Sequence, residues 1–225
     1  MSRAGERRPV AGVVWVTGAA GGIGAAICDA YVEAGATVVA SDVRACERSH
    51  GTHALACDVR SPTEIEAVIA ECDRLGGIDT LVKLRRHHAP GRCARDDAEG
   101  LGRTLRDQRQ GGISVRSTPR RCWRIRLRIA PPRVRCMRWA APWRSRLRRT
   151  ARVNTVAPGA VSDTDLEAAR WALAEEREAM RSRTPLGELG ASTDVASAVG
   201  FLGSAAARFI TGATLFVDGG RTPCV

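Results

Sequence analysis

Residues 10–24 read VAGVVWVTGAAGGIG, so a run of apolar and β-branched residues passes directly into a cluster of glycines. Such a run, here Val10–Val16, is typical of a strand buried on both faces of a parallel sheet. The apolar pattern of Ala25–Ala34 predicts a helix, and Gly35 is placed to end it. A second strand is predicted over Thr37–Ala40. The sequence therefore predicts a strand–helix–strand unit with a glycine-rich first turn.

The glycine-rich turn has the composition of a dinucleotide-binding loop. Glycines let the backbone approach a pyrophosphate closely, and the N-terminus of the next helix offers unpaired N–H groups and a partial positive charge. Asp42 follows Gly18 by 24 residues, close to the interval at which an acidic residue binds the adenosine ribose. A carboxylate there repels a 2′-phosphate, so we predict NAD rather than NADP, a preference that Arg44 weakens. Glycine clusters also occur in ordinary turns, but the place between strand and helix favours the cofactor.

Several motifs resemble those of the short-chain dehydrogenase/reductase family, beginning with the T-G-x-x-x-G-x-G spacing of residues 17–24. Cys57-Asp58-Val59 resembles the family's adenine-contacting Asp-Val pair, and Ile78–Val82 resembles its fourth strand. Residues 152–159, RVNTVAPG, resemble the sixth strand and the Pro-Gly turn beside the nicotinamide. Residues 215–220, LFVDGG, resemble the last strand and its closing turn. Because the motifs follow the family's order, the chain is identified as a member of that family.

The resemblance implies an α/β fold, namely a Rossmann-like, doubly wound parallel sheet with helices on both faces, in a single domain over residues 1–225. It also implies NAD(P)-dependent hydride transfer between the nicotinamide and an alcohol or carbonyl compound, a small-molecule substrate, and a homo-oligomer. A weaker resemblance is to dehydrogenases of 2,3-dihydro-2,3-dihydroxybenzoate. Asp163 and Thr164 are candidates for contact with the nicotinamide amide. The implied cofactor-binding residues are Thr17, Gly18, Gly21, Gly22, Ile23, Gly24, Asp42, Asp58, Val59, Pro158, Gly159 and Val161.

Two further helices are predicted from apolar spacing. Pro62–Leu75 is amphipathic and is followed by Gly76-Gly77, a pair suited to end it. A second helix is predicted to begin at Asp194, after Ser192-Thr193. Asn154 and Asp218 match family positions at strand ends and turns, so we expect them to serve architecture.

The catalytic pair of the family is missing from this chain. In the family a tyrosine acts as general acid and base at the substrate oxygen, and a lysine four residues later lowers the phenol pKa. This sequence has one tyrosine, Tyr31, and one lysine, Lys83, and the residue four positions after Tyr31 is Gly35. We therefore predict no catalytic residues and no dehydrogenase turnover, which leaves a non-catalytic dinucleotide-binding protein as an alternative function.

Residues 83–150 differ from the dinucleotide-binding half, 10–82, and from the C-terminal family segment, 151–225. They hold 21 of the 35 basic residues but only 4 of the 24 acidic ones. Arginines fall at irregular spacing, and neither a helical nor a strand period persists. We expect this block to replace the fourth and fifth helices, the fifth strand and the catalytic face.

A shift of reading frame is our hypothesis for this block. The residues from Lys83 to His87 can be encoded by AAACTCCGCCGGCAT. If the first base is dropped and a C follows, the same bases encode Asn-Ser-Ala-Gly-Ile, which is close to the Asn-Asn-Ala-Gly that the family has after its fourth strand. The same shift allows residues 107–112 to become Ile-Asn-Val-Lys-Gly, similar to the helix that carries the family's catalytic asparagine. Bases are also expected to be missing before Asn154, because that interval is short.

The rival interpretation is an evolved basic segment that binds RNA, DNA or an anionic membrane. Arginines with Trp123, Trp139 and Trp143 between them have the composition to stack on bases. We favour the frame shift, since basic patches usually need presentation on a folded face. His87-His88 could hold a metal only with a third ligand, and the sequence indicates none.

Composition places the chain among cytoplasmic proteins. No run of apolar residues approaches the roughly 18 residues of a membrane span, and the first nine residues lack the apolar core of a signal peptide. The 8 cysteines form no C-x-x-C pair, so we expect reduced thiols and no metal site.

We expect the gene to carry an inserted or deleted base near codon 83. Resequencing codons 80–155 checks this. An intact gene that encodes Lys83 and the residues after it without a shift would contradict the hypothesis.

Overall fold

The computed structural model describes residues 12–44, 46, 51–84, 122–127, 151–164 and 174–222. Seven strands are formed, and in chain order they are β1 (Val13–Thr17), β2 (Thr37–Asp42), β3 (Thr52–Ala56), β4 (Ile78–Lys83), β5 (Cys122–Leu127), β6 (Ala151–Pro158) and β7 (Thr214–Val217). The helices are α1 (Gly22–Glu33), α2 (Pro62–Arg74), α3 (Ala174–Ser182) and α4 (Ser192–Gly203), with a short 3₁₀ turn at Ala205–Ala207.

The strands form one parallel sheet in the order β3-β2-β1-β4-β5-β6-β7. The chain runs outward from β1 to β3, then returns to the other side of β1 to build β4 and the strands beyond it. The order therefore reverses between β1 and β4, and ligands of doubly wound sheets bind at such a reversal. The predicted α/β fold class is confirmed.

Alternation along the central strands produces two cores, one on each face of the sheet. Val14 and Val16 face the cluster built with α1 and α4. Val13 and Trp15 face the cluster built with α2. Trp15 is fully buried, and its Nε1 donates to Ser41 Oγ at 2.9 Å, so this side chain belongs to the core.

Both predicted glycine ends of helices are confirmed. Gly35 has φ +81°, Gly35 N–H donates to the Val32 carbonyl at 2.9 Å, and Ala36 N–H donates to the Tyr31 carbonyl at 3.0 Å. Gly76 and Gly77 end α2 with the same pair of hydrogen bonds, at 3.1 and 2.8 Å. Both ends are Schellman motifs. The positive φ of Gly35 and of Gly76 turns the backbone so that two N–H groups after the helix donate to carbonyls of its last turn.

Three differences from the predicted elements have local causes. α1 begins at Gly22, three residues before the predicted start, because the glycine cluster itself forms its first turn. α4 begins at Ser192 rather than Asp194, whose carboxylate accepts from the Ala191 N–H at 2.8 Å within that first turn. The expectation that the fifth strand is lost is wrong, because β5 pairs in parallel with β4 and β6. Its sequence, CWRIRL, alternates arginine with apolar residues and so suits a strand.

Residues of the RVN motif are architectural. Asn154 Nδ2 donates to the Ile210 carbonyl at 3.0 Å, and Asn154 Oδ1 accepts from Ala213 N–H at 3.1 Å, as the sequence predicted for this side chain. Arg152 is 7% exposed and donates to the carbonyls of Ser204 and Ile210. Burial lowers the pKa of the Arg152 guanidinium to about 10, which still leaves it charged at neutral pH.

Within the described residues, no helix has the length and apolar character to cross a membrane.

Replacing Ile27 with alanine is expected to lower the free energy of unfolding by about 2–5 kcal/mol, because this fully buried side chain belongs to the core cluster that contains residues of α1 and α4. Urea unfolding followed by circular dichroism measures the change. The matched control is Leu186→Ala, at a side chain that is 73% exposed, with an expected change within about 0.5 kcal/mol. Equal effects of the two substitutions would contradict this packing.

Candidate functional site

The candidate site is the crevice at the carboxyl ends of the central strands. Thr17 ends β1, Lys83 ends β4 and Pro158 ends β6, and the first two are register partners in the sheet. The glycine-rich turn, residues 18–21, connects β1 to α1 on one side of this crevice. Two of the sequence-predicted residues, Thr17 and Pro158, therefore lie at this edge of the sheet, the first of them where the strand order reverses.

Close approach within the glycine-rich turn requires glycine at two positions. Gly18 has φ +72°, a conformation that other residues rarely adopt. At Gly24 a Cβ atom would lie 2.2 Å from the Gly18 carbonyl oxygen and 2.8 Å from Ala19 Cα. Any side chain at Gly24 would therefore push α1 away from the end of β1.

The first turn of α1 presents unpaired donors to the crevice. Its N-cap residue is Gly21, which has no side chain to accept a hydrogen bond, and the turn contains no acidic residue. Among the described residues, nothing accepts a hydrogen bond from the N–H groups of Gly22, Ile23 or Gly24. A helix N-terminus of this kind attracts an anion through its N–H groups and its dipole.

Asp42 lies beside the glycine-rich turn, as the spacing predicted. Its Oδ2 accepts from the Ala20 N–H at 3.2 Å, and its Oδ1 accepts from the Arg44 N–H at 3.1 Å. The Arg44 guanidinium reaches back to the Ala20 carbonyl at 3.0 Å and lies 3.8 Å from Asp42 Oδ1. Ala20 is thus held through its N–H by the Asp42 carboxylate and through its carbonyl by the Arg44 guanidinium.

Asp58 and Val59 follow β3 next to Asp42, since the Cys57 N–H donates to the Asp42 carbonyl at 2.9 Å. The Asp58 carboxylate accepts three bonds from the Arg60 guanidinium, at 2.6–3.0 Å, and one from the Arg60 N–H at 2.9 Å. The hydrogen bonds from Arg60 hold the pKa of Asp58 below its usual value. Arg60 is not among the residues predicted from the sequence, although a residue two positions after an aspartate is a common backbone partner.

Thr17 uses its side chain within the sheet. Its hydroxyl accepts from the Leu84 N–H at 3.2 Å and donates to the Leu84 carbonyl at 3.3 Å, and the residue is 1% exposed. The side chain joins the ends of β1 and β4, so any contribution to cofactor binding comes through the position of the turn. No spacing in the sequence could have identified Leu84 as the partner.

Residues after β6 form the opposite wall of the crevice. Gly159 packs so closely on the residue after β7 that a Cβ would lie 2.7 Å from Asp218 Cα. Val161 is 5% exposed and pairs with Gly190. Asp163 directs both carboxylate oxygens to Ser192, which the sequence did not indicate, and Thr164 is buried against Gly22.

The two residue types of the family's catalytic pair lie apart in the fold. Tyr31 is in α1, is 1% exposed and donates from its hydroxyl to the Val199 carbonyl at 3.5 Å. Burial raises the pKa of the Tyr31 phenol well above its usual value. Lys83 lies instead at the end of β4. The predictions for His87-His88 and for the arginine-rich stretches of 85–121 and 128–150 fall outside the described residues, and the described ones contain no metal-binding cluster of three.

Known protein families match both flanks of the chain. A family model described as short chain dehydrogenase matches residues 12–84. A second model, described as enoyl-(acyl carrier protein) reductase, matches residues 139–222. The matches thus leave residues 85–138 uncovered.

Individual relatives match either most of the chain or about a third of it. The chain is 33% identical over 238 positions to the 3-oxoacyl-(acyl-carrier-protein) reductase FabG of Vibrio cholerae, which covers 92% of the chain and 96% of that protein. These 238 positions exceed the 225 residues of the chain, so the alignment has gaps in this chain. A match to 3beta-hydroxysteroid dehydrogenase 1 of Eggerthella lenta is 47% identical but spans 33% of the chain and only 28% of that protein.

A solved structure shares the fold and holds a dinucleotide. The protein from Agrobacterium tumefaciens, assigned as a 2-deoxy-D-gluconate 3-dehydrogenase and solved with bound NADP, superimposes with a TM-score of 0.72. It is 25% identical, and the superposition covers 95% of this chain and 98% of that one.

Gly24→Ala is expected to abolish the binding of ADP-ribose and lower the melting temperature, because the added Cβ meets the Gly18 carbonyl. Calorimetric titration and a thermal melt monitor the two effects. The matched control is Gly200→Ala in α4, where a Cβ meets nothing within 4 Å and the helix is stabilised by up to about 1 kcal/mol. Unchanged binding by Gly24→Ala would contradict the geometry of the turn.

Proposed function

Because the chain belongs to the short chain dehydrogenase family, a family of oxidoreductases, we propose that it binds a nicotinamide adenine dinucleotide in the crevice described above. The observation that carries this proposal is the uncapped first turn of α1, with three N–H groups lacking acceptors among the described residues, next to the Asp42 carboxylate. Such a turn matches the charge and size of a pyrophosphate. The bound group would supply a nicotinamide ring that accepts or donates a hydride.

The two ends of the dinucleotide follow from the positions of the charged residues. Asp42, at the end of β2, has the position to accept hydrogen bonds from the adenosine ribose hydroxyls. Asp58 and Val59, next along the same edge, would border the adenine. The nicotinamide end would then extend toward β4 and β6, where Pro158, Gly159 and Val161 form the wall.

We propose that NAD is preferred over NADP. The Asp42 carboxylate would lie close to a 2′-phosphate and repel it. The positive charge of Arg44 would attract a 2′-phosphate and so oppose this preference. Its effect is smaller than its charge suggests, because the guanidinium already contacts Asp42 and the Ala20 carbonyl. The NADP in the Agrobacterium structure supports dinucleotide binding in general and leaves the preference to experiment.

We further propose that the chain does not turn over an alcohol or carbonyl substrate. A phenol buried in α1 and hydrogen-bonded to Val199 has no access to the crevice, and the sequence contains no other tyrosine. An arginine is a poor substitute for the lysine, since its charge is permanent and its shape differs. We therefore propose no particular substrate for this chain. The likeness to dehydrogenases of 2,3-dihydro-2,3-dihydroxybenzoate stays a prediction, as do a homo-oligomer and a cytoplasmic location.

The frame shift is the origin that we propose for the missing pair. The boundary of the first family match, at residue 84, lies one residue after the predicted start of the shift. The match resumes at residue 139, within the arginine-rich block, which supports a return to the family's sequence before or near β6. The rival function, nucleic-acid binding by this block, predicts a salt-dependent electrophoretic shift.

Calorimetric titration with NADH and NADPH tests the binding proposal, and wild type is expected to bind NADH more tightly. Asp42→Asn removes the charge but keeps an acceptor for Ala20 N–H, and should reduce the NADH preference about tenfold, or about 1.4 kcal/mol. The control is Asp29→Asn, at an exposed position of α1. It should leave the ratio of NADH to NADPH affinity unchanged. Equal affinity of wild type for the two dinucleotides would contradict the preference, and binding of neither would contradict the function.

Turnover is tested in the same samples with a panel of alcohols and NAD, and of carbonyl compounds and NADH. No rate above the uncatalysed background is expected. Turnover near the common enzymatic range of about 1–1000 per second would overturn the proposed lack of catalysis.

A further inference from the structure

The segment from Gly159 to Thr164 is fastened to its neighbours by backbone hydrogen bonds. Gly159 N–H donates to the Val217 carbonyl at 2.8 Å. Gly190 N–H donates to the Ala160 carbonyl at 3.0 Å, and Ser162 N–H donates to the Gly190 carbonyl at 2.8 Å. These bonds fix the start of the segment to β7 and to the chain before α4, and leave its far end to be held by other contacts.

Asp163 holds that far end through both of its carboxylate oxygens. Oδ1 accepts from the Ser192 N–H at 2.8 Å, and Oδ2 accepts from the Ser192 hydroxyl at 2.8 Å. Ser192 is the buried first residue of α4, so the negative charge of the exposed Asp163 lies at the positive end of the helix. Hydrogen bonds of this type are stronger than those between neutral groups.

Thr164 is placed by this tie against the pyrophosphate turn. It is 8% exposed, and a Cβ at Gly22 would lie 3.2 Å from Thr164 Cα and 3.3 Å from Thr164 Cγ2. The Asp163 carbonyl oxygen is similarly close, at 3.1 Å from that Cβ position. Gly22 is the first residue of α1, so the wall of the crevice touches the helix end that would bind the pyrophosphate.

We infer that Asp163 is a positioning residue for the nicotinamide half of the site, acting by holding Thr164 against Gly22 through its tie to α4. The inference rests on the proposed function. The adenosine half would lie toward Asp42, which ends β2, and Asp58, which follows β3. A dinucleotide anchored at α1 must therefore extend its other half along the wall that Asp163 fixes. Asp163 itself is not expected to touch the ring, because its carboxylate is used by Ser192.

The test compares NADH with ADP-ribose, which contains the adenosine and pyrophosphate but no nicotinamide. Asp163→Ala is expected to weaken NADH binding about tenfold while ADP-ribose binding changes less than about twofold. Asp163→Asn keeps an acceptor for the Ser192 N–H and a donor for its hydroxyl, so it should restore the NADH affinity to within about threefold of wild type. Calorimetric titration of the full chain gives both affinities.

Asp194→Ala is the matched control. It removes the carboxylate in the first turn of α4 that accepts from the Ala191 N–H at 2.8 Å and, among the described residues, makes no hydrogen bond to the segment from Gly159 to Thr164. This variant should lower the melting temperature, yet leave the ratio of NADH to ADP-ribose affinity unchanged. A merely structural role of Asp163 would produce the same result as this control.

An unchanged affinity ratio in Asp163→Ala, or an equal loss for both ligands, would overturn the positioning role. If Asp163→Ala does not melt cooperatively, Ser192→Ala decides, since it removes only the hydroxyl bond and should lower the ratio by a smaller factor. Failure of wild type to bind ADP-ribose would instead overturn the proposed function. The two failures are therefore distinguishable.

Discussion

The close approach of α1 to the end of β1 is the constraint on which the rest of the site depends. Because Gly24 lacks a side chain, the first helical turn lies directly on the Gly18 carbonyl, with no room for a Cβ between them. This contact sets the direction of the N–H groups of Gly22, Ile23 and Gly24, which have no acceptor among the described residues, and the Asp42 carboxylate accepts from the Ala20 N–H in the preceding turn. The opposite wall of the crevice contacts the same end of α1, because Thr164 packs on Gly22. A single steric requirement thus aligns the first turn of α1, the Asp42 carboxylate and the segment after β6.

Much of this arrangement could be predicted from sequence, because it depends on local signals. The continuous apolar run that ends at Val16 predicts a strand buried on both faces, and Gly35 and Gly76 end their helices by adopting the conformation that their residue type allows. The interval from Gly18 to Asp42 places the carboxylate at the turn, since it spans one helix and one strand of ordinary length.

The parts that could not be predicted depend on partners distant in sequence or on competing local bonds. Thr17 bonds with Leu84, Asp163 with Ser192 and Tyr31 with Val199, and no spacing rule connects such pairs. The prediction that the fifth strand is lost is wrong. The high arginine content of this stretch argues against a strand, but CWRIRL retains the two-residue period of a strand. Pairing of β5 with β4 and β6 continues the sheet. The sequence nevertheless lacks the tyrosine and the lysine, four residues apart, that form the acid–base pair of the family.

Amide hydrogen exchange at the first turn of α1 tests the central claim most directly. The N–H groups of Gly22, Ile23 and Gly24, unpaired among the described residues, are expected to exchange more slowly when NAD is added, while the exposed surface of α2 is unaffected. Slower exchange confined to this turn and to the residues around Asp42 would agree with a pyrophosphate bound there. Unchanged exchange at these three amides under saturating NAD, in a chain that melts cooperatively, would contradict the claim that this turn binds the dinucleotide.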